Sequence, residues 1–490
     1  MNVLFITLDQ FRGDSYCAAG HPLVKTPTLD RIAREGVRLS RHYSQAAPCS
    51  PGRAAIYTGT YQMNNRVVAN GTPLPKGLDN IAHVARRAGF DPTLFGYTDQ
   101  GVDPADAEGR DDPRLDSYDG VLPGLSVGLY LPESQAGWIQ HLRAKGYDVP
   151  YGWEVAARGE PDRPAELSLS GFLTTRFLEW LEPQESGWFA HLSYLRPHPP
   201  YAAAGEFSRM YDPADVEMPI APVPANQRHA IHAAAMGTEA SAAPTDPDQM
   251  RALKAQYYGM ISEVDSQLGR IVRALEERGE WEDTLVVITA DHGEQLGDHG
   301  LKEKLGFFPQ SYHVIGLWRD PHSANAGRVL TNFSENVDLL PTLADVLAID
   351  EPAQCDGRSL TPLMAGLDVP WRSAAHYEWD YRLYFMRSVT GDWPKDRSLS
   401  LANLAASVSD DLGYVQFADG TFRCFDLLAD ATWRTECRDA ERVMRGAQEQ
   451  LVWRQEHLRR DLTDMLLRPS RPGRWPAGFK DAPLATAVSQ

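Results

Sequence analysis

Segments with helical periodicity alternate with strand-like segments along this chain, and this alternation constrains its fold most strongly. Apolar residues recur at three- and four-residue spacing over about 250–278, and Gly279 ends the pattern. The following segment, 284–290, is rich in apolar and β-branched residues, which is typical of a strand buried on both faces. Residues 3–8 have the same character. The alternation predicts an α/β fold with a large, mostly parallel sheet flanked by helices.

The pattern changes near residue 371. Strand patterns at 414–417 and 421–425 flank Asp419-Gly420, which is typical of a hairpin, and a helical pattern covers about 441–467. We therefore predict a large α/β domain over 1–370, a smaller C-terminal α+β subdomain over 371–467 and an extended tail over 468–490.

Two segments lack any periodicity and are predicted as loops. Residues 101–117 are rich in Asp, Gly and Pro, and residues 221–248 are rich in Ala and Pro. A loop as long as the second usually covers a site or mediates contact between subunits.

Composition excludes several classes of function. Lys and Arg number 48 against 66 Asp and Glu, and the formal net charge of −18 argues against nucleic acid or an anionic membrane as the main partner. The 43% hydrophobic content excludes a disordered chain. There is no basic, apolar leader pattern and no apolar run near the length of a membrane span. The five cysteines are scattered without a CxxC pair, so we expect a cytoplasmic, reducing location.

Acidic side chains directly follow two of the predicted strands. Asp9 follows strand 3–8, and Asp291 and His292 follow strand 284–290. Ligands bind beyond the carboxyl ends of strands in open α/β sheets, so these side chains and Gln10 can converge there. Oxygen and imidazole ligands suit Mn²⁺, Ca²⁺ or Zn²⁺. Alternatively, both aspartates are turn or cap residues, a common position for Asp after a strand.

A third element is the segment from Cys49 to Arg53, which carries the pattern Cys-x-Pro-x-Arg at a predicted helix start. Arg53 lies one helical turn after Cys49 and can reach the same oxygen, and the first backbone N–H groups of the helix can face an anion. Alternatively, Cys49 is buried and inert and Arg53 lies on the surface. The pattern resembles the core signature of the sulfatases, whose cysteine is oxidised to formylglycine.

Three further segments, 2–10, 194–200 and 291–299 with Lys304 just beyond, strengthen this resemblance. They are similar, in order, to blocks of the sulfatase and phosphonate monoester hydrolase branch of the alkaline phosphatase superfamily. The similarity spans residues 2 to about 308 and continues more weakly to about 467. Gln10 replaces the second of the paired aspartates of arylsulfatases, and His292 follows Asp291 where many arylsulfatases have Asn. Both features resemble the phosphonate monoester hydrolases.

The resemblance implies an alkaline phosphatase-like fold and assigns roles to individual residues. It implies one divalent metal ion, with Mn²⁺ expected and Ca²⁺ or Zn²⁺ as alternatives. The implied metal ligands are Asp9, Asp291, His292 and the formylglycine made from Cys49, with Gln10 beside them. The implied substrate pocket is lined by Arg53, Asn70, Tyr97, His198 and Lys304.

Some positions keep a second interpretation. Asp99 is an acid where the hydrolases carry threonine, and it adds negative charge to the pocket. Without the resemblance, Lys304 would be a solvated charge and His198 a loop histidine. Asp298 and His299 could ligate a second metal, or they could have only a structural role in the loop.

The resemblance also implies a mechanism. The formylglycine aldehyde hydrates to a geminal diol, one metal-bound hydroxyl attacks sulfur or phosphorus, and the alcohol leaves. Lys304 or His198 protonates the leaving oxygen, and the sequence leaves both open. The second hydroxyl then loses its proton, the aldehyde re-forms, and the sulfate or phosphonate is expelled, which a plain serine could not achieve.

A site with few cations should prefer monoanionic esters. We therefore predict a metal- and formylglycine-dependent hydrolase of phosphonate monoesters and phosphodiesters with arylsulfatase activity. One alternative is a protein that is primarily an arylsulfatase, and another is a two-metal phosphotransferase or mutase that uses Ser50 as its nucleophile. A third is a non-catalytic relative, but the presence of Cys49, Asp9 and Asp291 argues against it. The resemblance further implies a homo-oligomer, a dimer or tetramer, and maturation by a formylglycine-generating enzyme.

Overall fold

The computed structural model describes residues 1–109, 111–149, 152–382 and 401–458. Its main sheet has eight strands in the order β4-β3-β5-β1-β6-β7-β2-β8. Neighbouring strands are parallel except at β7, which is antiparallel to both β6 and β2. The predicted, mostly parallel sheet is confirmed. Its strands are β1 (Asn2–Leu8), β2 (Val37–Tyr43), β3 (Pro92–Gly96), β4 (Ser126–Tyr130), β5 (Phe189–Tyr194), β6 (Thr284–Thr289), β7 (Gly316–Arg319) and β8 (Arg328–Glu335).

Helices cover both faces of this sheet. The first helix begins at Pro27, because proline is favoured in the first helical turn. The helices of the described residues are α1 (Pro27–Glu35), α2 (Cys49–Thr58), α3 (Gln62–Asn65), α4 (Ile81–Arg87), α5 (Ala136–Ala144), α6 (Trp153–Arg158), α7 (Leu169–Leu181), α8 (Ala230–Met236), α9 (Pro247–Glu277), α10 (Leu339–Val346), α11 (Thr361–Met364) and α12 (Ala440–Glu456).

The central strand β1 shows why the sheet needs two helical layers. Its alternate side chains point to opposite faces, and every residue of β1 is buried. Leu4 and Ile6 join one apolar core with residues of α7 and α9. Val3 and Phe5 join a second core with residues of α2, α4 and α10. A strand buried on both faces carries an almost continuous apolar run, which is the pattern that predicted β1 and β6.

A second, antiparallel sheet follows in the order β12-β11-β10-β9. The predicted hairpin at Asp419-Gly420 is confirmed as the connection between two of its strands. Residues 459–467 of the predicted helix and the predicted tail, 468–490, lie outside the described residues. The strands are β9 (Ala374–Asp380), β10 (Asn403–Ser409), β11 (Leu412–Phe417) and β12 (Phe422–Asp426).

One loop prediction is wrong in part, because residues 221–248 contain α8. Alanine has the highest intrinsic helix propensity, and the His229 ring accepts a hydrogen bond from the Ile231 N–H at the start of this helix. The helix predicted from about 250 begins earlier, at Pro247, where the Asp246 carboxylate accepts from two backbone N–H groups. None of the described helices is both long and apolar enough to cross a membrane.

Candidate active site

The ends of β1 and β6 bring four potential metal ligands together. Asp9 directly follows β1, Asp291 and His292 follow β6, and Cys49 is the first residue of α2. One donor atom from each of these four buried residues lies within 4.8 Å of the other three. Cys49 Sγ is 3.2 Å from His292 Nε2 and 4.0 Å from Asp9 Oδ1. The predicted convergence of Asp9, Asp291 and His292 is therefore present.

Gly52 allows α2 to approach the end of β6. A Cβ atom at this position would lie 2.2 Å from the backbone oxygen of Asp291 and 3.1 Å from that of Ala46. Both neighbours are backbone atoms, so only a shift of the helix or of the strand end would relieve the clash. The absence of a side chain at Gly52 thus allows Cys49 to lie close to the carboxylates.

We expect Gly52→Ala to lower both stability and activity. Overpacking of this kind costs about 1–3 kcal/mol, because the backbone must move. Differential scanning calorimetry and ester hydrolysis on the same preparation measure the two effects. Gly77→Ala is the matched control, because no atom lies within 4 Å of a Cβ there. An unchanged melting temperature and activity for Gly52→Ala would contradict this account of the helix position.

Arg53 lies among three carboxylates. Its Nε is 3.0 Å from Asp291 Oδ2 and 3.1 Å from Asp99 Oδ2, and its Nη2 is 3.1 Å from Asp9 Oδ2. The Ser193 hydroxyl accepts from Nη1 at 2.7 Å. The guanidinium is 0% exposed and does not line the pocket in which it was expected. Its contacts fix the carboxylates instead.

The carboxylates remain electrostatically crowded despite Arg53. Burial and the charge of Asp9 raise the pKa of Asp291 to about 7. Burial acts to raise the pKa of Asp9, but the histidines, Arg53 and Lys304 around it hold the pKa below its usual value. Burial raises the pKa of Asp99 to about 7, although Arg53 opposes this. Buried like charges of this kind are stabilised by a cation.

These residues fit a divalent cation. The cluster offers two carboxylates, one imidazole nitrogen and one sulfur, all buried and all within reach of a single ion. Asp298 and His299 lie outside it: Asp298 pairs with Arg12 at 2.7 Å, and the His299 ring stacks on Phe308 with 3.6 Å between centroids. Among the described residues, this is the one cluster of at least three potential ligands that the structure contains.

Lys304 and His198 complete the inner end of the site. Lys304 Nζ is 3.3 Å from Cys49 Sγ, 3.2 Å from Gln10 Oε1 and 2.9 Å from His198 Nε2. Burial and the charge of Lys304 lower the pKa of His198 to about 3, so this ring is neutral near pH 7. Lys304 is only 8% exposed and is therefore not the solvated charge that its neighbours in sequence suggest.

The remaining predicted residues also surround the cluster. The Tyr97 hydroxyl donates to Asp9 Oδ2 at 2.6 Å, and the Asn70 side-chain oxygen accepts from the Ser50 N–H at 3.0 Å. Gln10 is buried, and its side-chain amide donates to Glu294. Ser50 does not line the pocket, and its hydroxyl is buried with no hydrogen-bond partner in the described structure.

A pocket of about 140 Å³ opens above Cys49. The residues of its inner wall were predicted from the sequence, and those of its outer wall were not. No sequence motif marked the outer residues, which come from the end of β4, the start of α6 and the loops around them, although Leu195 lies within one of the recognised motifs. The inner wall comprises Asp9, Cys49, Asn70, Tyr97, Asp99, His198 and Lys304, and the outer wall comprises Tyr118, Asp119, Gly120, Tyr130, Leu131, Glu133, Gln135, Trp153 and Leu195.

Comparison with known proteins agrees with this geometry. The family model described as Sulfatase matches residues 1–349. The chain is thus a hydrolase of ester bonds in the alkaline phosphatase superfamily. Within that superfamily it belongs to the sulfatase family, as the motifs around Cys49 and Asp291 predicted. Membership implies a metal ion and a formylglycine made from the signature cysteine.

Three relatives cover almost the whole chain. The multifunctional alkaline phosphatase superfamily protein PehA of Trinickia caryophylli is 35% identical over 505 residues, 94% of this chain and 96% of that protein. The phosphonate monoester hydrolase of Agrobacterium radiobacter is 37% identical with a TM-score of 0.81, covering 93% and 96% of the two chains. The phosphonate monoester hydrolase of Silicibacter pomeroyi is 32% identical with a TM-score of 0.83, covering 93% and 95%.

Proposed function

We propose that this protein hydrolyses phosphonate monoesters and phosphodiesters and, more slowly, sulfate monoesters. The observation that carries the proposal is the charge of the pocket. Lys304 is the one Lys or Arg side chain that lines it in the described part of the chain, and Asp9 and Asp99 line it as well. Such a pocket favours a single negative charge over two. The three ester classes are monoanions at neutral pH, whereas phosphate monoesters are largely dianions.

The relatives support the phosphorus-centred reaction. Two solved phosphonate monoester hydrolases match nearly the full length of the chain at 37% and 32% identity. The family description, in turn, supports the sulfatase activity that we assign to the same site.

We propose that Asp9, Asp291, His292 and the modified Cys49 hold one divalent ion, Mn²⁺. When bound, such an ion supplies Lewis-acid stabilisation of the negative charge that develops during ester cleavage. Formylglycine at position 49 supplies the nucleophilic oxygen of its hydrated aldehyde. Cys49 Sγ lies where that side-chain oxygen would lie, at the inner end of the pocket.

The hydrogen bonds of His198 support one of the two candidate proton donors. His198 Nδ1 lies 2.8 Å from the backbone oxygen of Pro199, which can only accept, so Nδ1 carries the ring proton. His198 Nε2 therefore accepts from the Lys304 ammonium at 2.9 Å. We infer that Lys304 protonates the leaving oxygen and that His198 orients the ammonium group.

Arg53 acts through other residues. Because its guanidinium contacts Asp9, Asp99 and Asp291 but does not line the pocket, we propose that it is a positioning residue. It holds the carboxylates in the orientation that an ion requires and offsets part of their charge.

A panel of esters with one leaving group tests the proposal. We expect kcat/KM for p-nitrophenyl phenylphosphonate and bis-p-nitrophenyl phosphate to exceed that for p-nitrophenyl sulfate by about tenfold and that for p-nitrophenyl phosphate by about 100-fold. A higher kcat/KM for the sulfate would show that the protein is primarily an arylsulfatase. A preference for the phosphate monoester, with two metal ions per chain, would support the phosphotransferase alternative.

The role of Lys304 predicts a dependence on the leaving group. We expect Lys304→Ala to lower kcat/KM by about 10³-fold for a phenyl ester but by only about tenfold for the p-nitrophenyl ester, because the more basic phenoxide needs protonation. His198→Ala should lower both by similar factors. Lys304→Arg keeps the charge but is a poor acid, so it should behave like Lys304→Ala. If His198→Ala alone shows the leaving-group dependence, the assignment is reversed.

A further inference from the structure

The outer wall of the pocket has a composition that the ester chemistry does not use. Three aromatic side chains, Tyr118, Tyr130 and Trp153, line it together with the carboxylates of Asp119 and Glu133. Hydrolysis of an ester at Cys49 requires none of these groups. The wall therefore concerns the part of the substrate that extends outward from the reacting phosphorus or sulfur.

Two of the polar side chains of this wall are carboxylates, which accept hydrogen bonds. Asp119 Oδ1 accepts from the Glu133 N–H at 2.7 Å, and Glu133 Oε1 accepts from the Tyr118 hydroxyl at 3.2 Å. Within the described residues, the hydrogen-bond partners of these two carboxylates are the Glu133 N–H and the Tyr118 hydroxyl, and neither partner is cationic. In the described part of the chain, Asp119 and Glu133 therefore line the pocket without a Lys or Arg hydrogen-bond partner.

Gln135 provides an independent indication of a ligand. Gln135 is only 3% exposed and lines the same pocket. Its side-chain oxygen, Oε1, has no hydrogen-bond partner among the described residues. An unpartnered buried acceptor is costly unless a ligand or water satisfies it. The N–H of an ammonium group in the pocket would satisfy it, and a quaternary ammonium group, which has no N–H, would approach it through its polarised C–H groups.

We propose that this outer wall binds an ammonium or quaternary ammonium group on the substrate, so that the preferred esters are zwitterions. The inference rests on the proposed function and adds the class of alcohol. Aromatic faces attract organic cations through their quadrupole, and Asp119 and Glu133 add direct charge attraction. The ester anion then lies at the inner end of the pocket near Lys304, and the cation lies among Tyr118, Tyr130 and Trp153.

Two isosteric phosphodiesters test the inference. One is p-nitrophenyl 2-(trimethylammonio)ethyl phosphate, and the other is p-nitrophenyl 3,3-dimethylbutyl phosphate, in which carbon replaces the charged nitrogen. We expect the wild-type protein to hydrolyse the cationic ester with a kcat/KM about 10-fold or more above that of the neutral isostere. Added salt should reduce this ratio.

Variants of the two carboxylates locate the effect. Asp119→Asn/Glu133→Gln should bring the ratio of the two kcat/KM values down to about one to three. Glu133 is exposed, so Glu133→Gln alone carries little risk to folding and should lower the ratio by about threefold. Asp116→Asn/Glu154→Gln is the matched control: both residues are exposed and outside the pocket, and the ratio should stay at the wild-type value.

The outcomes separate the inference from the proposed function. If wild-type protein hydrolyses both esters with equal kcat/KM, or prefers the neutral one, the cation site is overturned and the proposed function stands. A wild-type preference that Asp119→Asn/Glu133→Gln leaves intact also overturns it. If neither ester nor p-nitrophenyl phenylphosphonate is hydrolysed by the matured protein, the proposed function fails, and the inference fails with it.

Discussion

Replacing Cys49 by alanine is expected to lower kcat for every ester by about 10⁴-fold or more, because the nucleophilic group is lost. Cys49 is the residue at the inner end of the pocket that lies within 3.3 Å of both His292 and Lys304. Stopped or continuous p-nitrophenol release from the purified variant measures the loss, and a thermal melt shows that the fold is retained.

Two matched variants sharpen this prediction. Cys17→Ala should keep wild-type activity, because Cys17 is exposed and lies outside the pocket. Ser50→Ala should also remain within about threefold of wild type, since its hydroxyl does not line the pocket. Loss of activity in Ser50→Ala, with activity kept in Cys49→Ala, would contradict the mechanism and favour the Ser50-based phosphotransferase.

The second large effect concerns the metal. Asp291→Asn is expected to reduce bound metal from about one ion per chain to a small fraction of that and to lower kcat/KM by about 10³-fold or more. Asparagine keeps the side-chain oxygen that accepts from the N–H groups of Gln10 and His292, at 3.1 and 2.9 Å, so the fold should survive. Inductively coupled plasma mass spectrometry of the dialysed protein measures the metal directly.

Asp283→Asn is the control for the metal prediction. Asp283 lies at the opposite end of β6, where its carboxylate pairs with the N-terminal amine at 2.9 Å. The Asp283→Asn variant should therefore retain the wild-type metal content. Wild-type metal content in Asp291→Asn would contradict the assignment of the ligands.

The position of the metal cluster was predictable because it follows from strand patterns. The apolar runs of β1 and β6 are unmistakable, and the carboxyl ends of neighbouring parallel strands lie at the same edge of the sheet. Asp9 and Asp291, which directly follow the predicted strands, therefore had to be close. The reversed direction of β7 was not predictable, because this four-residue strand has no distinctive pattern.

Burial of Lys304 was not predictable from its local sequence. The segment between Glu294 and Lys304 folds back on itself. The Gln295 N–H donates to the backbone oxygen of Glu303 at 2.8 Å, and the Glu294 carboxylate accepts from the Glu303 N–H at 2.6 Å. This turn places Lys304 beside Cys49, and no periodicity reports it. The resemblance to a known family, rather than the residue pattern, identified Lys304.

Arg53 shows the limit of helical geometry as a guide. Its spacing from Cys49 predicted that both side chains reach the same region, and the structure places the guanidinium against two of the carboxylates that lie near Cys49. The spacing could not show that three carboxylates surround the guanidinium, because Asp9, Asp99 and Asp291 come from distant parts of the chain. Tertiary contacts therefore place Arg53 against the carboxylates rather than in the lining of the pocket, which is why we propose a positioning role for it.

Mass spectrometry of the peptide that contains Cys49 tests the central claim most directly. The protein should be produced together with a formylglycine-generating enzyme, and its ester hydrolysis should be measured on the same sample. Conversion of cysteine to formylglycine lowers the peptide mass by about 18 Da, and we expect this loss to rise in proportion to activity across preparations. An unmodified Cys49 thiol in fully active protein would contradict the formylglycine mechanism.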